Sequence, residues 1–203
     1  MKAADPIVFV VDDDARARGA LESLIRSIGP PPAQTFASAM EFLQHPRPDA
    51  AACLVLDVRL LGQSGLDLQR ELAASRDAIP IIFITGHGDI PMSLRAMRAG
   101  AIEFLPKPVR DQDLLGAIEQ AIRLDQEARQ HRSKLAQSRI CYVKLTLRER
   151  EVAQCLAKGL PNKQIGAELG ISEITVKVHR HRIMKKMEAR TIAELVHTIE
   201  NPA

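Results

Sequence analysis

Tryptophan is absent from the 203 residues, tyrosine occurs once and phenylalanine five times. Aromatic rings are too sparse for a single-stranded nucleic-acid platform, which stacks successive bases along a groove. Cysteine is scarce as well. Cys53, Cys141 and Cys155 are odd in number and scattered, fitting neither a disulfide framework nor a zinc-ligand spacing. Cys53 opens an apolar run and is expected to be a small buried side chain. No apolar stretch approaches the roughly 18 residues needed to span a bilayer; Ile7 to Val11 reads instead as a buried strand. The start of the chain (Met1, Lys2, then Asp5-Pro6) lacks the basic, apolar, small-residue order of a signal peptide, so a cytoplasmic location is expected.

What is present suits two soluble domains of about 100 residues each. The net charge of +3 conceals an asymmetry. Residues 1–125 hold 13 Lys and Arg against 17 Asp and Glu, net −4, whereas residues 126–203 hold 15 against 8, net +7. A basic second half behind an acidic first half suggests that the second meets a polyanion and the first a cation.

In the first half, apolar strands alternate with helical patterns. Ile7–Val11 ends in Asp12, Asp13 and Asp14. Leu21, Leu24, Ile25 and Ile28 follow at helical spacing and stop at Gly29 and the Pro30-Pro31-Pro32 breaker. Thr35-Phe36 closes a short strand, and Ser38 with Glu41 predicts a capping box. Cys53–Leu56 is a strand ending at Asp57, and Leu66–Ala74 is helical. Ile81–Ile84 ends at Thr85, Pro91 starts a helix that Gly100 ends, and Ile102–Leu105 precedes Lys107-Pro108. From Asp111 a helix is expected to carry Leu114, Leu115, Ile118 and Ile122 inward. Five strands alternating with five helices make an α/β fold, a doubly wound five-stranded parallel sheet.

Such sheets gather functional groups at the carboxyl ends of their strands. Those ends offer Asp12, Asp13, Asp14, Asp57, Thr85 and Lys107. Carboxylates converging on one crevice repel one another and call for a hard cation such as Mg²⁺ with oxygen ligands. A lysine ammonium and a threonine hydroxyl opposite could hold the oxygens of a phosphoryl group attached to one carboxylate.

The segments "VFVVDDD", "LVLDVRL" and "IPIIFITGHGDIPMSLRAMRAGAIEFLPKP" resemble those of a bacterial response-regulator receiver domain over residues 7–123. The resemblance implies that Asp12 and Asp13 are the acidic pair and that Asp57 accepts phosphate from a sensor histidine kinase. It also implies that Asp12, Asp13, Asp57 and the backbone carbonyl of Arg59 bind Mg²⁺. Thr85, Lys107 and Phe104 match the switch positions. The loop "DVRLLGQSG" departs from the family pattern, with Leu61 where proline is usual; this touches no ligand side chain. The three prolines at 30 to 32 are also unusual.

After Ile122 the sequence "RLDQEARQHRSKLAQSRI" has neither proline nor glycine and is rich in helix formers. The last helix of the sheet domain is therefore expected to run from Asp111 to about Gln137, the alternative being a flexible charged linker. Beyond it, Thr146 and Glu149 form a second capping box ahead of Val152 and Leu156. Gly159 breaks that helix, Asn162 is expected to cap a short one carrying Ile165 and Leu169 inward, Gly170 turns the chain, and Ser172 caps the next. A short helix, a glycine turn and a longer basic helix form a helix-turn-helix. A final helix is expected from about Thr191 to Glu200. On the third helix, at 100° per residue, Ile183 and Met187 lie within about 20° of Val176 and make its core face. Lys177, Val178, His181 and Lys185 occupy the opposite side and can enter a major groove.

Residues 145–199 resemble the LuxR-type helix-turn-helix of the NarL/FixJ family through "LTLREREV", "GLPNKQIGAELGIS" and "TVKVHRHRIMKKM". That resemblance puts Lys177, Val178 and His181 at base-contacting positions and Lys163 and Arg180 on phosphates, with Thr175 and Lys185 also at the DNA surface. His181 departs from the lysine of some relatives. The domains expected are a receiver at 1–123, a helical linker at 124–142 and an all-α helix-turn-helix domain at 143–203. The reading is a non-enzymatic two-component regulator that binds double-stranded promoter DNA at an inverted repeat, dimerises on phosphorylation and works with RNA polymerase, with no membrane contact. Its rivals are a phosphorylation-independent regulator and an aspartyl-nucleophile phosphohydrolase, for which Asp12 and Asp14 have the nominal spacing.

Overall fold

The computed structural model describes residues 5–27, 32–75, 78–86 and 90–200. The chain divides into two compact units, Met1–Arg129 and Gln130–Ala203. Among the described residues, no helix is long and apolar enough to cross a membrane.

The first unit alternates β1 (Ile7–Val11), α1 (Ala15–Ser27), β2 (Ala33–Phe36), α2 (Ala39–Gln44), β3 (Ala52–Asp57), α3 (Gly65–Ala74), β4 (Ile81–Thr85), α4 (Ile90–Arg98) and β5 (Glu103–Pro106), and then enters α5 (Asp111–Val143). All strand pairs are parallel, in the order β2-β1-β3-β4-β5. Because side chains alternate across a strand, each strand feeds two cores. Val8, Val10, Cys53, Val55, Ile82 and Ile84 pack with α1 and α5. Phe9, Val11, Leu54, Leu56 and Phe83 pack on the other face with Phe42, Leu68 and Ala96. Buried on both faces, these strands read as continuous apolar runs. The sheet order reverses between β1 and β3, so a crevice opens at their carboxyl ends.

Local details depart from expectation. Ser38 accepts from the Glu41 backbone at 3.2 Å, but the Glu41 carboxylate reaches back to Ala37 N–H (2.8 Å) and not to its own cap residue. The α5 core face uses Leu114, Ala117, Ile118, Ala121 and Ile122, with Leu115 only half-buried, because the inward stripe follows the 3.6-residue period. Ile28, Gly29, Pro30 and Pro31 lie outside the described residues. Lower down α5, the buried Asp125 accepts from Ala52 N–H at 2.9 Å and from Arg129, which also pairs with Asp49. This satisfies a backbone donor at the start of β3. The helix runs six residues past Gln137 to Val143.

In the second unit, α6 (Leu147–Ala157), α7 (Asn162–Leu169), α8 (Glu173–Lys186) and α9 (Ile192–Glu200) enclose Cys141, Val152, Leu156, Ile165, Val176, Ile183, Met187 and Leu195. The Thr146–Glu149 capping box forms in both directions. Pro161, not Asn162, occupies the position before α7, and no side chain caps that helix. Proline there removes no needed donor. The turn into α8 depends on small residues: Gly170 has φ +65°, and a Cβ on Gly166 would lie 2.7 Å from the Ile171 carbonyl. Ser172 caps α8 by accepting from Thr175 N–H at 3.1 Å.

Glu149 carries a second task. It is buried, and its carboxylate accepts from Lys186 Nζ at 2.6 Å as well as from Thr146 N–H at 2.8 Å. Burial alone would raise its carboxyl; the Lys186 ammonium and the Thr146 donors outweigh that and hold it below its ordinary 4.5. A carboxyl lowered in the folded state adds stability above its unfolded value that is lost as pH falls towards the folded one. Protection of α6 and α8 amides should therefore weaken below about pH 4.5 in the wild type. Glu149→Gln should cost about 1–3 kcal/mol at neutral pH and largely remove that acid-dependent loss, as read by hydrogen exchange on the full chain.

Candidate functional site

Three strands deliver the polar groups of the first unit to one place. Asp12 and Asp13 follow β1, Asp57 ends β3, and Lys107 follows β5. Carboxylate oxygens of Asp12, Asp13 and Asp57 all lie within 4.8 Å of one another. Lys107 Nζ donates to Asp12 Oδ2 at 2.6 Å and to Asp57 Oδ2 at 2.5 Å. The remaining oxygens are held by backbone: Asp12 Oδ1 accepts from Asp14 N–H at 2.9 Å, and Asp57 Oδ1 from Arg59 N–H at 3.0 Å. Arg18 anchors the same turn by donating to the Asp12 carbonyl at 2.7 Å.

The electrostatics are those of a crowded anionic crevice. Burial raises the Asp12 carboxyl above its ordinary value and Asp57 adds to this, against the lowering by Lys107 and Asp14 N–H. Burial opposes the Lys107 ammonium, yet the two carboxylates more than offset it and raise the group. Three carboxylates against one ammonium leave a formal charge of −2 when all are ionised. An all-oxygen set with that charge fits a hard divalent cation.

The other two residues expected at switch positions lie on β4 and β5. Thr85 is buried at the end of β4, and its carbonyl accepts from Lys107 N–H at 2.7 Å. Phe104 is half-buried, its ring centroid 6.2 Å from that of Phe83 on the neighbouring strand. Asp14 stands apart: its exposed carboxylate accepts from Arg16 N–H at 2.8 Å in the first turn of α1.

Gly65 is the residue that the strand-end reading missed. It opens α3, and a Cβ there would lie 2.3 Å from the Asp57 carbonyl oxygen. Its N–H donates to the Val58 carbonyl at 2.9 Å, and Ser64 caps the helix. The loop after Asp57 is thus pulled back against its own strand. The two glycines in "LGQSG" were the available signal. Leu61, in the same loop, is 82% exposed.

In the second unit, α8 presents Lys177, Val178, His181 and Lys185 to solvent, opposite the buried Val176, Ile183 and Met187. Lys177 Nζ lies 3.2 Å from the Glu173 carboxylate one turn earlier, an exposed pair that is easily broken. Thr175 is half-buried, with its hydroxyl 2.8 Å from that of Ser172, and Arg180 is half-buried. Lys163 is exposed in the first turn of α7. Ile174 escaped the sequence reading, which weighed charge on this face.

Comparison with known proteins agrees with both halves. Residues 8–119 match the family of the response regulator receiver domain, and residues 143–199 match the bacterial regulatory proteins of the luxR family. The chain is 52% identical over 194 residues to Nodulation protein W of Bradyrhizobium diazoefficiens, covering 96% of this chain and 85% of that protein. It is 45% identical over 194 residues to the response regulator protein TodT of Pseudomonas putida, covering 96% and 85%. Among solved structures it is similar to the response regulator StyR, with a TM-score of 0.85 at 55% identity, covering 97% of this chain and 99% of that one. Full-length FixJ from B. japonicum gives a TM-score of 0.58 at 36% identity, covering 98% and 97%. The chain belongs to the two-component response regulators that join a receiver domain to a LuxR-type helix-turn-helix DNA-binding domain.

Proposed function

We propose that phosphoryl transfer from a sensor histidine kinase to Asp57 controls the binding of this chain to promoter DNA in the cytoplasm. The convergence of Asp12, Asp13, Asp57 and Lys107 in one crevice carries the reading. Asp12, Asp13, Asp57 and the Arg59 carbonyl would hold Mg²⁺, whose charge offsets repulsion between the carboxylates and an incoming phosphoryl group. An Asp57 oxygen forms the bond to phosphorus as the bond to the kinase's histidine nitrogen breaks, and that nitrogen keeps the electron pair. Lys107, already against Asp57, meets the added anionic oxygens. Thr85 turns its hydroxyl towards them and Phe104 turns inward, which remodels the α4–β5 face.

On the DNA side, Lys177, Val178 and His181 meet base edges, with Thr175 and Lys185 at the same surface, while Lys163 and Arg180 hold phosphates. One such helix reads only a few base pairs, so a dimer on an inverted repeat supplies the missing contacts, and RNA polymerase is the downstream partner. Leu94 and Met97 leave apolar surface on α4 for a phosphorylation-sensitive homodimer. On α9, Leu195 is buried in its own unit and Ile199 packs there too, while Ile192 and Val196 are half-buried.

Mass spectrometry after treatment with a small acyl phosphate should find phosphate on Asp57 of the wild type. Asp57→Asn or a chelator should abolish it; undiminished labelling in either case would overturn the assignment. Thr85→Ala should accept phosphate yet activate DNA binding several-fold less than wild type; equal activation puts the switch elsewhere. In sedimentation at micromolar concentration, the phosphorylated chain should dimerise and footprint two half-sites about one helical turn apart. A monomer on one half-site would refute the dimer.

A further inference from the structure

Ile174 has no use in the fold that its surroundings explain. It is 74% exposed in the first turn of α8, one residue after Glu173. A β-branched side chain there gains no burial and has no better than middling helix propensity. At 100° per residue it lies about 160° from Val176, at the middle of the side opposite the core. Val178, 44% exposed, stands one turn further along the same side. Lys177 lies between the two along the helix, and His181 and Lys185 follow on the same side. An apolar patch beside cationic side chains matches a DNA major groove, where thymine alone presents a methyl group among hydrogen-bonding edges and the phosphates line the flanks.

We infer that Ile174 is a specificity-determining residue that packs on the C5-methyl group of a thymine in each half-site. This rests on the proposed placement of α8 in the major groove, which brings the first residues of the helix closest to base edges. Ile174 has neither donor nor acceptor, so its selectivity comes from apolar contact alone. Burying one methyl group is worth about a fourfold change in affinity. The neighbouring lysines supply attraction that is indifferent to sequence unless they also reach base edges.

The experiment uses the full chain and a duplex selected by it from random sequences. Each thymine in that duplex is replaced in turn by uracil, which removes only the methyl group. Wild type should lose about 3- to 10-fold in affinity at one thymine per half-site. Ile174→Ala should bind the unmodified duplex about 3- to 10-fold more weakly and show no further loss at that uracil, whereas Ile174→Val should restore most of the difference. Such non-additivity identifies a direct contact. An Ile174→Ala variant that keeps the wild-type uracil profile, or a wild type insensitive to every uracil, would overturn the inference. Selection with Lys177→Ala separates the two levels. An unchanged selected sequence there rejects the groove placement itself; a changed one, with the uracil profile of Ile174→Ala like wild type, rejects the thymine contact alone.

Discussion

Lys107 Nζ lies 2.6 Å from Asp12 and 2.5 Å from Asp57, and much of the receiver domain serves to keep these groups together. Asp12 is buried and its carboxyl is raised by burial, so an unpaired charge there would be costly. The compensating cation arrives from β5, two strands away from β3 in a sheet whose order is β2-β1-β3-β4-β5. Parallel register aligns the strand ends: Val11 pairs with Leu56, Asp57 with Ile84, and Thr85 with Pro106. Steric constraint adds to the electrostatic one, since only a residue without a Cβ at position 65 lets α3 approach Asp57. The cluster is assembled by long-range packing, and its net negative charge is what a divalent cation would balance.

The same logic separates two uses of lysine in the DNA-binding domain. Lys186 is committed to folding: its ammonium reaches the buried Glu149 and the Lys144 carbonyl, tying the end of α8 to the start of α6. Lys177 and Lys185 stay in solvent, and under the proposed DNA contacts a weak pair such as Lys177 with Glu173 would cost little to exchange for DNA. The net +7 of the C-terminal part already sets Lys186 against Glu149, so this pairing takes nothing from the charge left for a polyanion. Position on the helix, not charge count, decides which lysine does which.

Composition and period made most of the fold legible. Strand ends could be read at Asp57 and Thr85 because buried parallel strands are continuous apolar runs that stop abruptly at polar residues. The core face of α8 followed from its period. What escaped was set by three-dimensional approach: Gly65 against the Asp57 carbonyl and Asp125 against Ala52 N–H. Neither has a spacing that announces its partner. Asn162 failed as a cap for a local reason, since Pro161 already stood at the helix entrance. Ile174 was missed because charge drew attention to that face, while the informative feature was an apolar side chain with nothing over it.

Under the proposed phosphorylation of Asp57, the β4–β5 pair links the crevice to Phe104. Thr85 and Lys107 are joined through the backbone, the Thr85 carbonyl accepting from Lys107 N–H at 2.7 Å. Phe83 and Phe104 sit opposite each other two residues earlier in the same register. A new dianion beside Asp57 competes for Lys107, which in the unphosphorylated protein bridges Asp12 and Asp57. It would also offer the Thr85 hydroxyl an anionic partner. Any movement of Thr85 then acts on a packed pair of strands, and close-packed interiors pass displacement on to their neighbours instead of absorbing it. Phe104, half-buried beside Phe83, is the adjoining side chain with both an inner contact and solvent to turn towards. In the proposed switch, a ring taking two positions at the margin of the core would convert a change of charge into a change of surface shape, and a gap of only a few kcal/mol between those positions would suffice for the phosphoryl group to select one.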